Sequence, residues 1–318
     1  MMDKRQPTNN PGLVSRPFRD DADFWRIRNL SVETYPITGP GWNWDIRRWD
    51  GSRFYEENPI LNADWQRTIR LWEDGDGRLA GAVNRYGKSL FYLQLHPDYR
   101  QVEEGMIAWA EESLAVPAPD GKPRQIHTEV YEYDAPRLRI LERRGYEKLP
   151  EGGSFRKMWF GNRPLPEVRM ADGYLLRPIR HEDLEDCQRV ADLLNAAFNR
   201  SFHNAGEFYH YARLAPSYRQ DLHLVAEAPD GAFAAHVAAI YDDSNRRGLY
   251  EPVCTHPLHR RKSLALTLMF ACLHRLKAIG AREVTVETGD EEPANALYDA
   301  LGFTEIYKSY LWRKRFQE

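Results

Sequence analysis

The chain has 318 residues, 42 % of them hydrophobic, which is enough for ordinary cores and points to two domains. Its formal net charge is −3, which argues against a nucleic-acid partner, and it has no run of about 18 apolar residues, so no membrane span is expected. The three cysteines, Cys187, Cys254 and Cys272, are odd in number and lie in one half, which fits reduced thiols in a cytoplasmic protein.

Residues 1–12 are polar, lack the apolar stretch of a secretory signal, and are expected to form a disordered tail. A strand over 13–16 leads to a helix start rich in acid (Asp20, Asp21, Asp23), which suits the positive end of a helix dipole. Residues 34–59 are rich in Gly, Pro and Trp and read as a long irregular segment. Trp42, Trp44 and Trp49 there either line a pocket or pack against one another. Residues 70–73 and 79–84 read as a hairpin around Asp74-Gly75-Asp76-Gly77. An aromatic strand over 155–160 precedes a glycine and two prolines in 161–167, which mark a linker.

Beyond it, strands are expected at 174–179, 222–227 and 233–241, and a helix over 181–198. Residues 199–218 are rich in aromatics and histidine, but His203 and His210 have no partner spacing that would make a metal site. Tyr250 and Val253 are strand formers, and His256-Pro257 ends that strand. From Leu264 the apolar residues Leu264, Leu268, Cys272 and Leu276 fall at helical spacing, and Gly280 supplies the stop. Residues 283–288 alternate as a strand does, Pro293 opens a short helix that Gly302 ends, and a last strand covers 307–316.

The sequence also repeats. Arg16-Pro17 matches Arg177-Pro178 at a separation of 161, His96-Pro97 matches His256-Pro257 at 160, and Gly145-Tyr146 matches Gly302-Phe303 at 157. Three matches in the same order imply two copies of one fold: 13–162, a linker at 163–173, and 174–318.

The turn between the strand ending at Thr255 and the helix from Leu264 carries Arg260, Arg261 and Lys262. Free amides at a helix start, together with three cations, suit a pyrophosphate. This turn reads Arg260-x-x-Ser263-x-Ala265, and Leu297 to Phe303 reads Leu-Tyr-x-x-Leu-Gly-Phe. In this order and spacing the segment resembles the GNAT acyltransferase family. The resemblance implies an α+β fold of two tandem GNAT-like domains, each a mixed, largely antiparallel sheet flanked by helices. It implies acetyl-CoA as co-substrate and direct transfer of its acetyl group to an amine. Val253, Cys254 and Thr255 would then pair with the pantetheine arm, and Arg260, Arg261, Lys262, Ser263, Leu264 and Ala265 would hold the pyrophosphate. Asn295 would contribute to the same cofactor site, Tyr298 would donate a proton to the leaving thiolate, and Glu251 is the candidate general base. Pro252, which lacks an N–H, interrupts the strand where a ligand would insert.

Two departures stand out. Ser263 replaces a glycine of the family pattern, and the usual asparagine before the last helix is replaced by Glu291 and Glu292. In the first copy Glu103 stands where Ser263 is, Phe91 where Glu251 is and Leu141 where Tyr298 is, so that copy reads as degenerate. Like charges about 4 Å apart at an effective dielectric near 20 cost roughly 4 kcal/mol, so Glu103 opposes a pyrophosphate unless it turns away. The expectation is an N-acetyltransferase of a small-molecule amine, monomeric or homodimeric, working in its second domain. The alternative left open is a non-catalytic acyl-CoA-binding or interaction protein.

Overall fold

In the computed structural model, which describes residues 12–55, 64–119, 123–162 and 164–316, the chain divides into two compact units. The expected disordered tail at 1–12 lies, but for Gly12, outside the described residues.

The first unit opens with β1 (Val14–Pro17) and α1 (Asp21–Thr34), whose start is capped by the Asp20 side chain accepting from the amides of Ala22 and Asp23. The segment expected to be irregular contains a helix, α2 (Ile46–Phe54), and Trp42, Trp44 and Trp49 are all buried. Trp49 stacks on Phe24, ring centroids 5.6 Å apart, and its Nε1 donates to the Phe24 carbonyl at 3.0 Å. These indoles therefore pack within the protein. β2 (Arg70–Glu73) and β3 (Leu79–Tyr86) form the expected hairpin, followed by β4 (Leu90–Leu95), α3 (Glu103–Leu114), the short β5 (Val116–Pro117), β6 (Arg124–Tyr131), α4 (Ala135–Arg143) and β7 (Glu147–Trp159). A core built on Phe91, Leu93, Leu95, Met106, Ile107, Ile126 and Leu141 joins α3 and α4 to the sheet.

The second unit contains β8 (Leu175–Pro178), α5 (Leu184–Phe198), α6 (Ala205–Leu214), β9 (His223–Glu227), β10 (Phe233–Asp242) and β11 (Arg247–Thr255). It continues with α7 (Leu264–Ala278), β12 (Glu283–Gly289) and α8 (Glu292–Leu301). α5 begins at Leu184, later than the pattern from His181 suggested, because Asp183 turns its carboxylate back to the amide of Glu185 as the cap. α6, within the aromatic and histidine-rich stretch 199–218, is capped in the same way by Asn204. α7 buries the predicted stripe of Leu264, Leu268, Cys272 and Leu276 against Ala235, Val237, Ala239 and Tyr250. The opposite face of the sheet is covered by Val190, Leu193 and Phe208 of α5 and α6, packed on Val225 and Cys254. The stretch read as a linker at 163–173 is strapped to α7: His274 Nε2 donates to the Pro166 carbonyl at 2.8 Å and Thr267 Oγ1 to the Arg169 carbonyl at 3.3 Å.

The unit boundaries differ from the sequence expectation in three places. The last strand, β13 (Glu305–Arg315), follows the second copy in sequence, yet Tyr307–Glu318 belongs to the first unit, where Ser309 to Arg315 pair antiparallel with Tyr131 to Gln125 of β6. β7 runs into the second unit from Phe155 onward, with the Phe160 amide donating to the Arg282 carbonyl at 2.9 Å. Asp50–Asn62 also clusters with the second unit: among its described residues, the Asp50 carboxylate accepts from the Ser217 amide at 3.1 Å and Tyr55 stacks on Tyr211 at 4.3 Å. The physical reason is that ladder hydrogen bonds are non-local, and alternation fixes that a strand forms without fixing its neighbour.

The sheet order in the first unit is β1-β2-β3-β4-β6-β13-β7, and in the second β7-β12-β11-β10-β9-β8. Each contains a parallel pair, β4 with β6 and β11 with β12, beside antiparallel neighbours. The repeats in sequence build repeated devices. Arg16 grips Asp23 with both Nη atoms at 2.6 Å and Glu73 with Nε at 2.9 Å, and Arg177 grips Asp186 at 2.6 and 2.9 Å and Glu227 at 2.6 Å. His96 Nδ1 accepts from the Asp98 amide and His256 Nδ1 from the Leu258 amide, both at 3.2 Å.

Candidate active site

The site is organised by an irregularity in β11. Its register with β10 runs Ala235↔Thr255, His236↔Cys254 and Val237↔Val253, then resumes at Ala239↔Tyr250, so Glu251 and Pro252 stand opposite Ala238 alone. That is a bulge, placed where Pro252 has no N–H to give the ladder. On its other edge β11 pairs with β12 from Arg247↔Glu283 to Tyr250↔Val286 and no further, although β12 continues to Gly289. The two parallel strands therefore part at the bulge. The His256 amide donates to the Ala234 carbonyl at 2.8 Å, which fixes the phase of alternation. Cys254 turns its backbone groups toward β10, and Val253 and Thr255 turn theirs to the parted edge.

The chain then enters the basic turn. Arg261 (φ 62°) and Ser263 (φ 54°) both lie in the left-handed region, and α7 begins at the next residue. That conformation costs an L-residue about 1–2 kcal/mol, so Ser263 and Arg261 both carry backbone strain. The Ser263 side chain makes no cap bond, while its carbonyl accepts from the Thr267 amide at 2.9 Å. Arg260, Arg261, Lys262 and Ser263 are exposed; Leu264 and Ala265 are buried and anchor the helix start. Tyr174 steadies the turn: its hydroxyl is 2.8 Å from His259 Nδ1, and Lys262 Nζ lies 5.2 Å from its ring centre. First-turn amides and three cations at one exposed helix N-terminus suit an anionic ligand.

Tyr298 lies on α8, which Pro293 opens and Gly302 (φ 99°) closes with its amide, and that of Phe303, on the Tyr298 carbonyl. The Tyr298 side chain is buried against Phe303. Burial first, then the charge of Glu251, raise its phenol well above the ordinary value of a tyrosine; Cys254 and Glu291 add to this and Arg156 opposes it. Glu251 of the bulge and Cys254 thus both lie within electrostatic reach of Tyr298. Burial pushes the Cys254 thiol up to about 12, so it is not a thiolate nucleophile near neutral pH.

Two further side chains brace α8. Asn295 is engaged by the protein itself: its Oδ1 accepts from Arg156 Nη2 at 2.7 Å, and its Nδ2 donates to the carbonyls of Gly289 and Glu291 at 3.2 and 3.1 Å, bracing the turn from β12 into α8. Arg156 was not singled out by sequence. It lies in the segment of β7 that joins the second unit, is 4 % exposed, and also bonds Asp299 Oδ1 at 2.5 Å. No local pattern marks it, because its partners lie about 140 residues downstream.

The first unit handles the equivalent place differently. β4 and β6 pair only at Leu90↔His127 and Phe91↔Thr128 before parting. The edge so freed is bonded by the chain's own residues. The Leu95 amide donates to Asn43 Oδ1 at 2.8 Å, its carbonyl accepts from Trp42 Nε1 at 2.8 Å and Asn43 Nδ2 at 3.1 Å, and the Trp44 amide donates to Gln94 Oε1 at 2.8 Å. Gly41 (φ 75°) permits the approach, since a Cβ there would meet the Tyr131 ring at 2.3 Å. Glu103 is fully buried at the start of α3, held by Arg137 and by Arg100 Nε at 3.0 Å. The Trp42 ring lies 4.3 Å from the Arg100 guanidinium and 5.0 Å from that of Arg137. Phe91 and Leu141, opposite numbers of Glu251 and Tyr298, are both completely buried.

Residues 187–303 match the family model described as acetyltransferase (GNAT) family. This segment is a GNAT domain. Among solved structures, a GCN5-related N-acetyltransferase from Sphaerobacter thermophilus shares the fold, with a TM-score of 0.63 at 18 % identity over 97 % of both chains. A tandem GNAT protein from the clavulanic acid biosynthesis pathway, solved without acetyl-CoA, also has a TM-score of 0.63 at 18 % identity, over 95 % of this chain and 98 % of that one. A GNAT-family acetyltransferase from Colwellia psychrerythraea has a TM-score of 0.58 at 9 % identity over 95 % and 99 %. No curated protein matches the sequence. Likenesses at these identities speak for the fold, and they span nearly the whole chain, so the tandem GNAT fold extends beyond the matched GNAT domain.

Proposed function

We propose that the GNAT domain is an acetyl-CoA-dependent N-acetyltransferase that moves the acetyl group directly to the amine of a small molecule, and that the first unit does no catalysis. The observation that supports this most is the parting of β11 from β12 at the Glu251–Pro252 bulge, with Tyr298 electrostatically coupled to Glu251 there. The pantetheine arm of acetyl-CoA would pair with the backbone of Val253 and Thr255, and its pyrophosphate would take the amides of Arg261 to Ala265 and the charges of Arg260, Arg261 and Lys262. Glu251 would accept the proton of the incoming ammonium, directly or through water. The neutral nitrogen attacks the thioester carbon, an amide of the bulged strand donates to the carbonyl oxygen, the C–S bond breaks as Tyr298 gives its proton to the sulfur, and the nitrogen loses its second proton to water to leave the neutral amide.

The non-catalytic reading draws on the left-handed Ser263 and the diverted Asn295, both departures from an easy cofactor site. A screen of small amines with acetyl-CoA, following free thiol release, separates the two. Transfer that is abolished or strongly reduced in Tyr298→Phe is expected, and acetyl-CoA binding without transfer to any amine would sink the enzymatic reading.

A further inference from the structure

We propose that Arg156 is a positioning residue for the acetyl transfer, holding Tyr298 in place and offsetting the negative charge that forms on its oxygen when it donates its proton. The inference rests on the acetyltransferase reading above and adds to it a residue that no motif contains.

Arg156 reaches α8 through both Nη atoms, to Asn295 and to Asp299, which are four residues apart and so lie one above the other on the same helix face. Tyr298 is the immediate neighbour of Asp299, so the turn that carries the phenol is clamped at its two ends. Asn295 in turn braces the β12–α8 connection through the Gly289 and Glu291 carbonyls, which fixes where that turn starts. A planar fork can hold two acceptors at fixed spacing, which a lysine cannot.

Arg156 is buried, and its partners neutralise it incompletely: Asn295 is uncharged, and the Asp299 side chain is 61 % exposed and shared with water. Its Nε is buried and has no hydrogen-bond partner among the described residues. Tyr298 is surrounded by groups that resist its ionisation, namely Glu251, Glu291 and Cys254, with burial the largest effect; Arg156 favours the phenolate. A phenol that must give up a proton in such surroundings needs a cation held close by. Once Glu251 has taken the amine proton its charge is neutralised, and the Arg156 guanidinium becomes the dominant partner of the new phenolate until bulk solvent reprotonates it.

The test uses the full chain and the variants Arg156→Met and Arg156→Lys, alone and combined with Tyr298→Phe. The readouts are acetyl-CoA titration by calorimetry, thermal melting, and steady-state transfer to whichever amine the screen identifies. Arg156→Met is expected to bind acetyl-CoA within about twofold of wild type and keep KM, while kcat falls on the order of tenfold to a hundredfold, the scale of a weakened general acid. Arg156→Lys, which keeps the charge but not the two-acceptor clamp, should recover only part of kcat, and in the Tyr298→Phe background Arg156→Met should cause little further loss. A role confined to packing would lower the melting temperature and reduce kcat equally in both backgrounds, which overturns the inference; so does wild-type kcat in Arg156→Met. If Arg156→Met does not fold, Arg156→Lys decides: a kcat no better than that of Tyr298→Phe overturns it. Failure of the underlying reading looks different, since the wild type itself then transfers acetyl to no amine.

Discussion

The indole N–H of Trp42 donates to the main-chain carbonyl of Leu95 at 2.8 Å, at the place in the first unit where the repeat of the second unit has Thr255. The same edge that we assign to the pantetheine arm in the GNAT domain is bonded in the first unit by Trp42 and Asn43, and Glu103 lies with its arginine partners where a pyrophosphate would sit. The calorimetric stoichiometry of acetyl-CoA should therefore be one per chain. Arg261→Glu should abolish it and Gln101→Glu should leave it intact; two sites would refute the self-filled first unit. Trp42→Ala should cost the first unit about 3–5 kcal/mol in denaturant unfolding, as for other buried aromatics.

Ser263 adopts a left-handed conformation that glycine adopts without steric penalty. Ser263→Gly is expected to leave stability unchanged or raise it by about 1 kcal/mol, the relieved strain being partly offset by the greater freedom of glycine in the unfolded chain. It should not weaken acetyl-CoA binding, because the amide is retained. A destabilisation well beyond that margin in equilibrium unfolding would show that the serine side chain is needed.

The twin arginine clusters set an acid limit. Hydrogen bonds and charge from Arg16 hold the Asp23 and Glu73 carboxyls below their ordinary values against burial, and Arg177 and Arg180 do the same for Asp186. A carboxyl lowered on folding contributes stability that is present above its unfolded pKa, near 4, and is lost as pH falls through the folded value. The melting temperature should therefore decline steadily below about pH 4. Arg177→Met should lower it most at neutral pH and least in acid; a constant offset at every pH would contradict the linkage.

Burial pushes the Cys254 thiol up to about 12 and that of Cys272 likewise. A covalent acetyl-cysteine route would need a thiolate that is scarce at pH 8. Cys254→Ala should keep kcat within about threefold, with no acetylated protein trapped by rapid quench and mass spectrometry. Detection of acetyl on Cys254 during turnover would overturn direct transfer.

Tyr298→Phe keeps the ring against Phe303 and removes only the hydroxyl. Acetyl-CoA affinity should be retained while kcat falls by about two orders of magnitude or more, as when a general acid is lost. Equal losses in affinity and kcat would assign the residue to binding.

Much of this was legible in the chain itself. Arg16-Pro17 and Arg177-Pro178 announced a repeat, and both build the same ion cluster. The helical spacing from Leu264 gave α7, Gly302 gave the end of α8, and Pro252 marked the break in β11. These are local signals, carried by φ preferences, missing donors and side-chain period, and residues close in sequence suffice to express them. Strand partnership is of another kind. Alternation said that 155–160 and 307–316 were strands, but only the tertiary structure decided that the first enters the second unit, bringing Arg156 to Asn295 and Asp299, while the second returns to pair with β6. It likewise decided that Trp42 and Asn43 would satisfy Leu95. A backbone edge accepts any donor that reaches it, and which one does depends on the whole packing rather than on the residues of the edge.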